Sequence, residues 1–178
     1  AGDYTASWTF TPAEGYEEYA TATGIVTVTV NPKAVTVSGI TAKDKVYDGN
    51  TNATLDCSNA KFDGILENDT LTVTATGTFE KADTGKQKVT ISDFKLSGAS
   101  AANYVPSTED SQTETTATIT AKKVTVTITP NGGTYGSVTA AAAVLFGVVD
   151  REIVPVTLTY TGNGYNSTSV PTDVDSYT

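Results

Sequence analysis

Thr27-Val28-Thr29-Val30-Asn31-Pro32-Lys33-Ala34-Val35-Thr36-Val37 is two alternating Thr/Val runs separated by an Asn-Pro breaker. Alternation with period two is the pattern of a half-buried antiparallel strand, with one side chain in two turned inward. Threonine fills the outward positions because its β-branch suits a pleated surface while its hydroxyl stays wet. Val28, Val30, Val35 and Val37 are therefore expected to face a core. Pro32 has no backbone donor, so one strand ends there and the next begins almost at once. The same passage recurs as Thr116-Ala117-Thr118-Ile119-Thr120-Ala121-Lys122-Lys123-Val124-Thr125-Val126, 89 residues further on. Self-similarity at a fixed offset marks an array of like modules.

Two further echoes keep the same order. Phe62-Asp63-Gly64-Ile65-Leu66-Glu67-Asn68-Asp69, followed by Leu71-Thr72-Val73-Thr74, resembles Phe146-Gly147-Val148-Val149-Asp150-Arg151-Glu152, followed by Val156-Thr157-Leu158-Thr159, and both read as strand, acidic turn, strand. Tyr47-Asp48-Gly49 aligns with Tyr135-Gly136. Elsewhere, alternating runs at 25–30, 71–74, 89–91 and 124–128 are punctuated by Gly, Asn and Pro clusters every ten or so residues, which makes the chain all-β. Only Thr139 to Phe146 has helical propensity, from its alanines, and its place in the repeat reads as a strand instead. The boundaries fall at Asn31-Pro32-Lys33 and Ala121-Lys122-Lys123. They give the end of one repeat at 1–32, a complete module at 33–122 and the beginning of another repeat at 123–178. Each module is expected to be an Ig-like β-sandwich or a smaller β-grasp-like sheet. Asp3-Tyr4-Thr5 resembles Ser176-Tyr177-Thr178, and the two partial repeats together make about one module length. End-to-end strand complementation, between copies or within one chain that folds back, is the expectation that follows, since unpaired strands expose donors, acceptors and an apolar face.

Composition excludes several function classes. With 38% hydrophobic and 17% charged residues the chain is globular. A net charge of −9 and a pI near 4.3 are wrong for a nucleic-acid binder, which gathers Lys and Arg on one face. There is no His, so Ser-His-Asp triads and most zinc sites are ruled out. Cys57 has no second cysteine to pair with and is expected to be a small buried apolar side chain. No apolar run is long enough to span a membrane. With neither an initiator Met nor a signal peptide, the chain is expected to be a piece of a longer exported polypeptide.

The candidate residues are few. The Tyr47-Asp48-Gly49 motif reads as structural, with Tyr47 plugging a sheet edge and Asp48-Gly49 making the turn. Tyr16, Tyr19, Tyr160 and Tyr165 are the candidate ligand-contacting aromatics, because aromatic faces stack on sugars and proteins alike. Trp8 and Phe10, in the alternating run Tyr4-Thr5-Ala6-Ser7-Trp8-Thr9-Phe10, are expected to pack into a core. The pairs Glu67 with Asp69 and Asp150 with Glu152 are the candidate Ca²⁺ ligands, although their equivalent places in two repeats speak for turn chemistry first. Lys33, Lys122 and Lys123 lie beside strands, where a lysine next to a carboxylate can form an isopeptide cross-link; ordinary surface lysines are the simpler reading. No cofactor and no catalytic residue is expected.

Lys45-Val46-Tyr47-Asp48-Gly49-Asn50-Thr51-Asn52-Ala53-Thr54-Leu55 resembles the signature of the YDG repeat domain of bacterial surface and adhesin-like proteins. Gly64 to Val73, Lys86 to Ile91 and Leu96 to Tyr104 follow as further family-like landmarks, over about residues 35 to 120. Tyr135-Gly136, Leu158 to Tyr165 and Pro171-Thr172-Asp173 to Thr178 resemble the related MBG or bacterial Ig-like repeats. The resemblance implies an extracellular, mostly β module in tandem on a large bacterial protein, with neighbouring repeats as its immediate partners and no catalytic residues to carry over. Its role would be that of a stalk or spacer, or of an adhesin module that binds a host glycan or matrix protein. Cys57-Ser58-Asn59-Ala60 departs from the family pattern, being polar where relatives continue with apolar and small residues.

Overall fold

The computed structural model describes residues 1–135, 137–162 and 164–171. Gly136, Asn163 and residues 172–178, including the Tyr177 stretch likened above to Tyr4 and the end of the MBG-like segment, lie outside the described residues. Two compact units emerge, one made of residues 1–45 and 51–119, the other of residues 46–50 and 120–178.

The first unit opens with β1 (Gly2–Phe10) and β2 (Ala22–Val30), an antiparallel hairpin that forms a two-stranded sheet by itself. Then follow β3 (Lys33–Ser38), β4 (Thr41–Ala42), β5 (Lys45–Val46), β6 (Asn52–Ala53), β7 (Leu55–Asp56), β8 (Lys61–Asp63), β9 (Thr72–Phe79), β10 (Gly85–Ser97), β11 (Tyr104–Pro106) and β12 (Glu114–Thr120). The single helical element among the described residues is the 3₁₀ turn Ala101–Asn103. Five strands order as β5-β12-β10-β9-β6, three as β11-β3-β8, and β4 pairs with β7. β3 is joined to β11 in parallel and to β8 antiparallel.

The core lies between the five-stranded and three-stranded sheets. Val37 and Ile40 come from the β3 side, Val73 and Ile91 from β9 and β10, and Leu55, Cys57, Phe62, Phe94 and Leu96 close around them. Val35, Phe79, Val89, Ala117 and Ile119 are buried as well. The alternation in Val35-Thr36-Val37 and Ala117-Thr118-Ile119 is thus realised as two facing layers, the sandwich alternative of the two open readings. The backbone of the layer carrying β3 is satisfied partly by side chains. Ser111 Oγ accepts the Val37 N–H at 3.0 Å, and Gln112 both accepts from the Ile40 N–H at 3.0 Å and donates to its carbonyl at 2.8 Å. Each would otherwise be a buried orphan. The Cys57–Ala60 stretch is a turn, in which Asp56 Oδ1 accepts from the Ser58 N–H at 3.0 Å and the Ala60 N–H donates to the Cys57 carbonyl at 3.0 Å. That local bonding satisfies the polar groups of the Ser58-Asn59 turn beside the core.

The second unit contains β13 (Thr125–Thr129), β14 (Gly133–Thr134), β15 (Ser137–Val138), β16 (Ala142–Phe146), β17 (Tyr160–Gly162) and β18 (Tyr165–Ser167). They form three two-stranded sheets, β13-β16, β14-β15 and β17-β18. The alanine-rich stretch is therefore a strand over Ala142–Phe146, as the repeat requires.

Two turns of like backbone geometry occur, one after β8 and one after β16. Val37 stands opposite Phe62, and Val126 stands opposite Leu145. Leu145 therefore occupies the place of Phe62. The backbone angles fix this: Gly64 and Gly147 both have φ +89°, and Asn68 and Arg151 both have φ +70°. Each glycine turns so tightly that an added Cβ would approach a carbonyl of the strand before it, Ala34 at 3.4 Å or Lys123 at 3.2 Å. The turn is then closed alike, by Asp69 N–H to the Leu66 carbonyl at 3.2 Å and Glu152 N–H to the Val149 carbonyl at 3.1 Å. The strand expected over Val156 to Thr159 is not formed: residues 152–159 carry no strand, and pairing resumes only at Tyr160.

A second correction concerns burial. Val26, Val28 and Val30, with Trp8 and Phe10, do not face a core: all are about half exposed, Trp8 at 51% and Phe10 at 47%. Val124, Val126 and Ile128 are likewise 44–45% exposed. Their alternation is real, but each belongs to a sheet of only two strands that carries no second layer among the described residues.

Candidate functional site

The Tyr47-Asp48-Gly49 motif is built as a turn at the end of edge strand β5. The Tyr47 N–H donates to the Thr120 carbonyl at 2.8 Å, and the phenol donates to Glu152 Oε1. Asp48 Oδ1 accepts the Asn50 N–H at 3.2 Å, an Asx turn, and Gly49 takes φ +77°. An added Cβ at Gly49 would meet Val149 Cγ1 at 3.0 Å. Each part of the motif thus has a role in backbone or packing.

Two of the carboxylates named as candidate Ca²⁺ ligands, Asp69 and Glu152, accept hydrogen bonds from side chains of the protein. Asp69 accepts from Tyr104 Oη and, at 2.7 Å, from Ser100 Oγ, and Tyr104 Oη in turn accepts the Leu66 N–H at 3.1 Å. The phenol and the Ser100 hydroxyl hold the Asp69 carboxyl below the usual carboxylate range. The same carboxylate raises the Tyr104 phenol above its ordinary value. Glu152, at the equivalent place in the second unit, accepts from Tyr47 as Asp69 does from Tyr104. Among the described residues no group of three or more His, Cys, Asp or Glu is arranged to hold a metal. At each of these two turns a tyrosine phenol donates to the acid, Tyr104 to Asp69 and Tyr47 to Glu152. Sequence reasoning paired the acids with each other and missed their phenol donors, because Tyr104 lies 35 residues from Asp69.

The four candidate aromatics have different fates. Tyr160 Oη accepts the Ala141 N–H at 3.0 Å, and Tyr165 Oη donates to the Ser169 carbonyl at 2.8 Å, so both are half-buried struts of the second unit. Tyr16 and Tyr19 are exposed on the loop between β1 and β2, where turns close from Tyr16 N–H to Ala13 and from Tyr19 N–H to Tyr16. On that loop Glu17 accepts the Gly15 N–H at 2.9 Å, which holds its carboxyl low.

The pairing Tyr4 with Val28, Ala6 with Val26, Trp8 with Gly24 and Phe10 with Ala22 puts every apolar residue of the hairpin except Ile25 on one face. Asp3, Thr5, Ser7 and Thr9 share the other with Thr23, Thr27 and Thr29. The Trp8 indole lies over Gly24 so closely that an added Cβ would come within 2.5 Å of its ring. The result is an open row of three aromatics, Tyr4, Trp8 and Phe10. The alternation in the sequence already placed them on one side; what it concealed is that this side stays about half exposed among the described residues.

Other candidates resolve simply. Cys57 is half-buried against the core, and burial pushes its thiol up, away from the reactive thiolate. Lys33, Lys122 and Lys123 are exposed. A shallow hollow of about 280 Å³ lies between Cys57, Ser58, Ala60, Phe62 and Leu71 to Val73, without a titratable cluster to give it chemistry. Among the described residues no helix is long and apolar enough to cross a membrane.

Fold and geometry together define an all-β module whose core lies between two of its sheets. Its central segment, residues 31–112, matches the family model of the YDG domain and is a YDG domain. Neither a curated protein nor a solved structure matches the chain.

Proposed function

We propose that the chain is a non-catalytic tandem-repeat segment of a bacterial cell-surface or secreted protein, acting as a stalk or spacer between other domains. The observation that carries this reading is the reuse of one turn, with its glycine, its left-handed residue and its tyrosine–carboxylate latch, in successive repeats. Residues of the kind that elsewhere do chemistry are here consumed in holding the scaffold, and the chain has no His. Its neighbours are then other repeats of the same polypeptide, of the MBG or Ig-like kind, and its location is extracellular.

One observation favours a second reading, an adhesin module: the open aromatic row Tyr4, Trp8 and Phe10, with Tyr16 and Tyr19 on the adjoining loop. Aromatic faces of this sort stack on sugar rings and anchor protein contacts. The chain, immobilised at high density on a glycan and extracellular-matrix array, distinguishes the two. The spacer reading expects a blank array. A reproducible hit that is lost when Tyr16 and Tyr19 are changed to Ser would replace it with the adhesin.

A further inference from the structure

The two open faces are the missing halves of one module. In the central module β10 pairs with β12 so that Gly85 stands opposite Ile119; in the hairpin β1 pairs with β2 so that Gly2 stands opposite Val30. With the registers laid over one another, Trp8 takes the place of Ile91, Val28 that of Ala117 and Val30 that of Ile119. The central residues are 3%, 5% and 1% exposed, and their counterparts 51%, 53% and 49%. The hairpin is therefore a five-stranded-type layer without its facing layer. The β13-β16 sheet is the converse. Val124 and Val126 stand for Val35 and Val37, Leu145 stands for Phe62, and among the described residues no strand pairs with β13 or β16 in the part of β10 and β12.

We propose that the apolar face of the β1-β2 hairpin docks the β13-β16 sheet of a second copy of this chain, rebuilding between two molecules the sandwich that the central module forms within one. Three arguments identify this occupant. The faces match in register and side-chain class, because each is the counterpart of a pair that already packs in the central module. The charges match as well. In that module Lys33 at the start of β3 lies beside Tyr104, in the connection between β10 and β12. The same docking brings Lys122 and Lys123, before β13, to the connection between β1 and β2, which carries Glu14, Glu17 and Glu18 and no basic residue. The area is adequate too. Tyr4, Trp8, Phe10, Val26, Val28 and Val30 are each 47–58% exposed. Together they offer on the order of 600 Å² of surface, against the roughly 800 Å² per partner of a standard interface. The contact is heterologous, so each added copy leaves one face of each kind open and association continues head to tail. This goes beyond the spacer reading and does not depend on it.

The full 178-residue chain tests it directly, because Trp8 is its single tryptophan and sits on the face in question. Sedimentation velocity and Trp fluorescence are followed together from about 1 µM to about 1 mM, the range that brackets a weak to moderate protein contact. The expected result is growth in mass with concentration and a blue shift of Trp8 in step with it. Val28→Glu and Val126→Glu each damage one face and are expected to weaken self-association at least about tenfold, since each sets an unpaired carboxylate against an apolar surface. Thr27→Glu, on the polar face of the hairpin, keeps it. Mixing Val28→Glu with Val126→Glu is the decisive arm: each retains one sound face, so a 1:1 dimer that grows no further is expected. Far-UV circular dichroism confirms that each variant is folded before it is scored. A chain that stays monomeric with Trp8 in water throughout overturns the proposal, as does Trp8 shielded in a monomer. Failure of the mixture to pair, with self-association lost in both variants, overturns it in favour of hairpins meeting face to face. A matrix or glycan ligand on the Trp8 face without self-association also overturns it.

Discussion

Asp69 and Tyr104 each set the ionisation of the other, and the consequence is a pH window. The phenol and Ser100 hold the Asp69 carboxyl low, so its contribution to stability is complete above the ordinary Asp value of about 4 and disappears as pH falls through the lowered one. Tyr104 is displaced upward, so its contribution is complete below about pH 10 and is lost as pH rises through the raised value. Tyr104→Phe removes both effects and leaves the Leu66 N–H without its acceptor. It is expected to lower the melting midpoint by a few degrees at neutral pH and to soften the fall at either extreme. Thermal melts from acid to alkaline pH check this, and a variant that melts as the wild type does at pH 7 refutes it. Of this latch the sequence made only one half legible. Glu67, Asp69, Asp150 and Glu152 stand out as turn acids, whereas Tyr104 and Tyr47, their partners in space, are far away in the chain and carry no local mark of the pairing.

At the scale of strands, alternation proved a reliable guide to which side chains share a face and an unreliable one to whether that face is covered. Thr27-Val28-Thr29-Val30 and Thr116-Ala117-Thr118-Ile119 read alike, and both are strands. Yet Ile119 is buried between two sheets and Val30 is half exposed on a lone hairpin. Period-two patterning records a strand's own amphipathicity; the second layer comes from distant residues such as Val37 and Ile40 and leaves no trace in the strand. The difference can be measured. Ile119→Ala is expected to cost about 2–5 kcal/mol, as for a buried branched side chain that leaves a cavity. Val30→Ala at the equivalent place is expected to cost less than about 0.5 kcal/mol in dilute solution, as for a surface change. Urea denaturation of the two variants at micromolar concentration decides it, and equal losses would mean that the hairpin is covered within the chain. Val156-Thr157-Leu158-Thr159 shows another limit of the pattern, since it alternates and yet residues 152–159 form no strand.

Across the whole molecule, the buried hydrophobic residues among those described all fall between Val35 and Ile119. Stability should therefore be concentrated in the YDG domain, while the β13-β16, β14-β15 and β17-β18 pairs, each a two-stranded sheet, are marginal as isolated elements. Limited trypsin digestion is expected to cut first at Arg151 and at Lys122-Lys123, all exposed, and to leave a resistant product ending near Lys122. Mass spectrometry of the early fragments checks this; first cuts inside the central module, at Lys61 or Lys88, would contradict it. The strand breaks at Asn31-Pro32 and Ala121-Lys122-Lys123 were legible, and they fall within a few residues of where β2, β3, β12 and β13 end or begin. The parallel β11–β3 pairing was not, since a three-residue strand such as Tyr104–Pro106 has too little sequence to show a period.

That parallel pair has a mechanical consequence. Tension that enters the chain at Lys33 and leaves beyond Pro106 pulls β3 and β11 in opposite senses along their length. It loads the pairs Tyr104 with Lys33, Val105 with Ala34 and Pro106 with Val35 in shear, all at once. The β1-β2 hairpin, gripped at Gly2 and Val30, which face each other, parts one pair at a time like a zip. Under load the hairpin yields first and lengthens the chain, and the YDG domain, clamped across β3 and β11, is the piece that holds.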